Sequence, residues 1–150
     1  MRPDRAVMMM GIARAVALRG TCDRLRVGAA IARDSRVIST GYNGNVSGQT
    51  HCRHWGMDGK LDPGPCITAV HAEANAIVFA ARHGVAVEGA ELWTTHQPCE
   101  SCAKLIINSG IVKVFYENTY RLREGLEMLI RSNVEVFRVQ EDYSSYQVTR

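Results

Sequence analysis

His71-Ala72-Glu73 and, further along, Pro98-Cys99-Glu100-Ser101-Cys102 decide the reading of this chain. One imidazole and two thiolates make three donors of the kind zinc prefers. Three donors leave the fourth tetrahedral position open for water, as a catalytic metal needs and a structural one does not. Glu73 adds a carboxylate that the metal does not require. Such a group can act as base and then as acid within one turnover. Pro98 suits the entry to a helix, so Cys99 is expected to open one and His71 another. The partial positive charge at a helix N-terminus favours the thiolate.

Either half alone is weak. A lone Cys-x-x-Cys also fits a redox pair or half of a structural zinc site, and a lone His-x-Glu arises by chance. The combination, with proline directly before the first cysteine, matches the signature of zinc deaminases acting on cytosine or adenine. Zinc lowers the pKa of bound water from about 15.7 to about 7. That water attacks the ring carbon bearing the exocyclic amine. Glu73 is expected to carry the proton to the ring nitrogen and the departing ammonia.

Around these residues the hydrophobic pattern alternates between helix and strand. Residues 4–19 read as a helix, with Met8, Ile12, Ala15 and Leu18 near helical spacing and Gly20 as its stop. Residues 27–32 and 37–40 read as a hairpin turning at Asp34-Ser35. Residues 45–65 form a polar, Gly- and His-containing loop, long enough to need a function or an anchor. Helices are expected over 71–83, 99–109 and 121–132, and strands over 91–95, 111–116 and 134–139. The tail from Gln140 is polar and reads as loose. The alternation implies a three-layer α-β-α arrangement, one sheet with helices on both faces.

The 150 residues suit a single domain over 1–150. With 46% hydrophobic and 22% charged residues the composition is that of an ordinary soluble globular protein. A net charge of +3 without a basic run gives no reason to expect a nucleic-acid partner. The amphipathic N-terminus lacks the clean apolar run of a signal peptide or membrane span, so no membrane association is expected. Five cysteines, two of them in the zinc motif, suggest metal chemistry in a reducing, cytoplasmic compartment rather than a disulfide framework.

The chain resembles the deoxycytidylate (dCMP) deaminase family of the cytidine-deaminase-like superfamily, particularly its late-competence and phage members. The likeness rests on Thr21-Cys22-Asp23-Arg24, Val27-Gly28-Ala29, Gly41-Tyr42-Asn43-Gly44, His51-Cys52, the run from His71 to Ile77, Thr95-His96-Gln97-Pro98-Cys99, Cys102-Ala103-Lys104 and the run from Ile111 to Tyr116. It implies a mixed five-stranded sheet and hydrolytic conversion of dCMP to dUMP and ammonia, feeding thymidylate synthesis. It also implies a homo-oligomer, a hexamer, activated by dCTP with Mg2+ and inhibited by dTTP. By the same resemblance Asn43 holds the deoxyribose, the Ala72 backbone binds the pyrimidine carbonyl, and Tyr120 lies near the monophosphate. Asn75, four residues after His71 on one helical face, contacts substrate or orients the metal shell. Arg24 and Arg26 are phosphate partners or plain surface charges, Asn43 alternatively only makes its turn, and Tyr120 alternatively only packs.

Cys22, Cys52 and Cys66 flank the long loop. Three thiolates and one histidine, His51 or His54, would close a second, structural zinc site and supply folding free energy to a loop without an apolar pattern. Three buried free cysteines are the alternative. Rival functions are a polynucleotide deaminase such as a tRNA adenosine deaminase, a deaminase of cytidine, dCTP or modified dCMP, and a non-catalytic binding module. The intact Glu73 and the low aromatic content, 7%, speak against the first and last.

Overall fold

The sheet is built outward from a hairpin whose turn demands left-handed backbone. Asp34 and Ser35 take φ of 50° and 62°, the conformation that matches the twist of two antiparallel strands. They join β1 (Gly28–Arg33) to β2 (Arg36–Tyr42). In this computed structural model residues 2–140 and 146–148 are described.

Before the hairpin comes α1 (Arg5–Ala17), capped by the Asp4 carboxylate, which accepts from the Ala6 N–H at 2.8 Å. Its buried face is Ala6, Met9, Met10, Ala13 and Ala17. The expected face was Met8, Ile12, Ala15 and Leu18, yet Met8 and Leu18 are exposed. Apolar residues surround this helix, so spacing alone does not choose a side. Close approach does: a Cβ on Gly28 would lie 2.0 Å from the Ala13 carbonyl oxygen, so the helix rests its small residues on β1.

After β2 the short strands β3 (Gly44–Asn45) and β4 (Ala69–Val70) pair with each other and close the base of the long loop. Then follow α2 (Ala72–Arg82), β5 (Glu91–His96), α3 (Glu100–Asn108), β6 (Lys113–Asn118), α4 (Glu124–Arg131) and β7 (Glu135–Val139). The expected mixed sheet of five strands is present in the order β2-β1-β5-β6-β7, with β5, β6 and β7 parallel and β1 antiparallel to both β2 and β5. A sixth strand, β8 (Tyr146–Val148), adds antiparallel to β7 within the tail read as loose. The rest of that tail, residues 141–145 and 149–150, lies outside the described residues.

Alternation along the strands divides the core in two. Ala29, Ile31, Leu92, Val114, Tyr116 and Val136 meet α2, α3 and α4. Ala32, Trp93, Phe115, Phe137 and Val139 form the face under α1. There Trp93 stacks on Phe115 at 3.8 Å and Phe115 on Phe137 at 4.8 Å. The Arg14–Glu117 ion pair ties α1 to β6. The helices thus cover both faces, and the loop at the C-terminal end of β5 meets the start of α2 on one side and the loop after β6 on the other. No helix among the described residues is long and apolar enough to cross a membrane.

Candidate metal centre and active site

His71 and Cys99 do not begin their helices; they cap them. Both have extended backbone, ψ of 156° and 172°, and neither side chain makes a capping hydrogen bond. The capping position aims each donor off the helix end instead of back along it. Cys102, in the first turn of α3, completes the set. The Nδ1 of His71 lies 3.3 Å from the Cys99 sulfur and 3.5 Å from that of Cys102, and all three donor atoms are mutually within 4.8 Å. Zinc bonds of about 2.3 Å to sulfur and about 2.0 Å to nitrogen give tetrahedral edges of roughly 3.6 Å. The three residues therefore fit zinc, with no fourth donor beside them among the described residues.

Glu73 is buried at 4% exposure, its Oε2 3.7 Å from the Cys102 sulfur. Burial pushes its carboxyl up to about 7, against the pull of its own backbone N–H and of His71. The hydrogen bond from Cys102 leads the causes that hold the Cys99 thiol down at about 4, with burial opposing and His71 assisting. Cys102 is pushed up by the neighbouring Cys99 and by burial. His71 is raised by its bond to Cys99. One thiolate shares its charge with a thiol and an imidazole, the arrangement of a donor set made for a cation.

Close packing fixes both helix starts. A Cβ on Gly41 would lie 2.2 Å from the Ala72 oxygen, and a Cβ on Gly125 2.4 Å from the Pro98 oxygen. Ser39 donates to the Ala76 carbonyl at 2.7 Å, and Asn75 Nδ2 to the Tyr42 carbonyl at 2.8 Å. Asn75 thus joins α2 to the end of β2. Ala72 is fully buried, and as the first helical residue its N–H has no acceptor within the helix.

Asn43 is buried, with Oδ1 accepting from Val27 N–H at 2.8 Å and Nδ2 donating to the Leu25 carbonyl at 2.7 Å. Its φ is not left-handed, so it does not make the turn in the way its type suggested. It clamps the segment before β1 instead. Arg24 bonds the Gly64 carbonyl and, at 2.9 Å, that of Asp62, so its guanidinium anchors the long loop. Arg26 is exposed. Tyr120 is 39% exposed and its backbone N–H donates to Gln97 Oε1 at 3.2 Å.

Cys22, Cys52 and Cys66 come together, and the histidine that joins them is His54, not His51. Asp23 decides between them: its carboxylate accepts the His54 backbone N–H at 2.9 and 3.1 Å, docking that residue beside Cys22. His51 stays exposed. Among the described residues the Nε2 of His54 is buried without a hydrogen-bond partner, and a cation held by the cluster would satisfy it. Burial and the adjacent Cys22 and Cys66 push Cys52 up to about 12. Against burial, the N–H groups of Ala69 and Thr68, the Thr68 hydroxyl and His54 bring Cys66 down to about 6. These four donors fit zinc as a closed set.

Three participants escape sequence reading: Asp23, Gln97 and Gly125. Asp23 has only its place beside Cys22 to mark it, and Gln97 only its place before Pro98. Gly125 carries no local signal, since its partner is the backbone of Pro98 and Cys99.

Residues 2–118 match the family model described as the cytidine and deoxycytidylate deaminase zinc-binding region. The chain is 41% identical over 128 residues to ComE operon protein 2 of Bacillus subtilis (strain 168), covering 85% of this chain and 67% of that protein. It is 40% identical over 124 residues to the deoxycytidylate deaminase of Mycobacterium phage D29, covering 77% and 95%. The fold superposes with a TM-score of 0.78 on the dCMP deaminase of cyanophage S-TIM5, solved in complex with dCMP and dUMP. That pair shares 35% identity and covers 91% of this chain and 97% of the other.

Proposed function

We propose, from the premise that this chain belongs to the cytidine and deoxycytidylate deaminase zinc-binding family, that it converts dCMP and water to dUMP and ammonia. The observation that carries this is Glu73, a buried carboxyl beside a His-Cys-Cys donor triad with one position open. Zinc bound by His71, Cys99 and Cys102 supplies Lewis acidity, lowering the pKa of water from about 15.7 to about 7. Glu73, held near 7 by burial, takes one proton from the water and delivers it to the ring nitrogen, then takes the proton of the hydroxyl added to the ring carbon and delivers it to the amine, which leaves as ammonia while the carbonyl forms. The N–H of Ala72, free of a helical acceptor, binds the pyrimidine carbonyl. Asn75 orients the start of α2 against β2. Asn43 borders the sugar and Tyr120 the 5′-phosphate. Arg24, engaged by the loop, is set aside as a phosphate ligand, and Arg26 remains a candidate.

A second, structural zinc on Cys22, Cys52, His54 and Cys66 belongs to the same reading, supported by the orphaned His54 Nε2. So do a homo-oligomer of hexameric form, dCTP–Mg2+ and dTTP as effectors, and a cytoplasmic setting in a single 150-residue domain. For the oligomer the support is α2, which leaves Val78 and Phe79 exposed at 59% and 52%.

Ammonia release from cytidine, deoxycytidine, CMP, dCMP, dCTP, 5-substituted dCMP and a tRNA anticodon stem-loop tests the substrate. We expect the highest kcat/KM with dCMP, at least about tenfold above deoxycytidine, since charge-assisted phosphate contacts are strong. Equal values for those two, or turnover of the stem-loop alone, would overturn the reading.

A further inference from the structure

We propose that Gln97 is a positioning residue: its side-chain amide holds residues 119–123 against the metal turn and so sets discrimination for the substrate's 5′-phosphate. This rests on the dCMP reading. Gln97 is a buried polar residue, 5% exposed, directly before Pro98 and Cys99. Both ends of its amide act on one loop. Nε2 donates to the Leu122 carbonyl at 2.7 Å, and Oε1 accepts the Tyr120 N–H at 3.2 Å. Among the described residues these are the only hydrogen bonds made by residues 119–122.

Nothing apolar holds the loop in their place. Tyr120 and Leu122 are 39% and 50% exposed, and Thr119, Arg121 and Arg123 are exposed too. The guanidinium groups of Arg121 and Arg123 have no ion-pair or hydrogen-bond partner among the described residues. The loop is nevertheless next to the metal site at both ends. Gln97 N–H donates to the Asn118 carbonyl at 2.8 Å, and Gly125 packs on the backbone of Pro98 and Cys99. An exposed tyrosine followed by two arginines that no described residue pairs, registered to the metal turn by one amide, is suited to grip an anionic group projecting from a ring bound at the metal. Gln97 need not touch that group. It removes the loop's freedom before the ligand arrives, which lowers the ordering cost of binding.

Gln97→Met keeps the side chain's bulk and deletes both hydrogen bonds. We expect KM for dCMP to rise about tenfold while kcat falls less than about twofold, as two lost neutral hydrogen bonds would give. For deoxycytidine kcat/KM should fall less than about threefold, zinc content should stay at the wild-type value, and the Tyr120 amide should exchange hydrogen faster. Gln97→Glu keeps the acceptor for Tyr120 but turns a carboxylate oxygen on the Leu122 carbonyl, and should raise the KM for dCMP at least as much as Gln97→Met. An unchanged KM for dCMP in both variants, or an equal loss on both substrates, overturns the proposal while leaving the dCMP reading intact. Wild-type enzyme that handles dCMP and deoxycytidine alike would instead refute the phosphate reading, and this proposal with it.

Discussion

At the scale of single residues, two titratable groups near the site are governed by burial and serve different ends. Glu73→Gln should retain zinc at the His71 site and lose turnover by about 10²-fold or more, the usual weight of a positioned acid–base group. Metal analysis beside ammonia release checks this, and activity within tenfold of wild type would remove Glu73 from the proton path. His96 lies at the end of β5, its Nδ1 2.9 Å from the Thr95 hydroxyl. Burial lowers its pKa, with Glu117 working the other way. A depressed folded-state pKa means stability present above the ordinary value of about 6.5 and lost as pH falls through the lower folded value. His96→Gln should therefore lose less stability than wild type between pH 7 and pH 5, as urea unfolding at the two pH values will report. The clustering of His71, Cys99 and Cys102 was legible because zinc accepts few donor types in few spacings. Asn43 and Arg24 were not, because an amide or guanidinium bonded to backbone carbonyls has the same sequence as one awaiting a ligand.

Among the elements, glycine contacts set the site more tightly than any polar bond. Gly41→Ala places a methyl 2.2 Å from the Ala72 oxygen and 2.4 Å from the Ala76 nitrogen. Backbone cannot yield there without moving the start of α2, and with it His71 and Glu73. We expect a loss of about 1–3 kcal/mol in urea unfolding, typical of overpacking, and a fall in kcat of more than about tenfold. An unaltered kcat would show that α2 tolerates the shift. The hairpin and the four helices were readable from period and turn chemistry: Asp34-Ser35 takes the left-handed pair that such a turn requires. The buried side of α1 was not. Its partner is a stripe of small residues on β1, and that choice depends on how near two backbones come, which no periodicity records.

For the molecule as a whole, the largest element-poor stretch hangs on the second cluster of donors. Cys52→Ser should release one equivalent of zinc, leave the His71 site loaded, and lower Tm by on the order of 5–10 °C, at about 2–4 °C per kcal/mol for a chain of this size. Elemental analysis and thermal melts of wild type and variant decide it; a single zinc in fully loaded wild type would sink the second site. Sequence reading placed the three cysteines around the loop and left the histidine open between two neighbours, since the backbone path through residues 51–54 is fixed by Asp23, far from it in the chain. The order of the donors has a further consequence. Cys22, Cys52, His54 and Cys66 all precede His71, while Cys99 and Cys102 follow it. On the ribosome the closed cluster is complete before the last two catalytic ligands have been synthesised. If the first cluster holds zinc, the nascent chain presents that complete set of four donors while His71 still awaits its partners on α3.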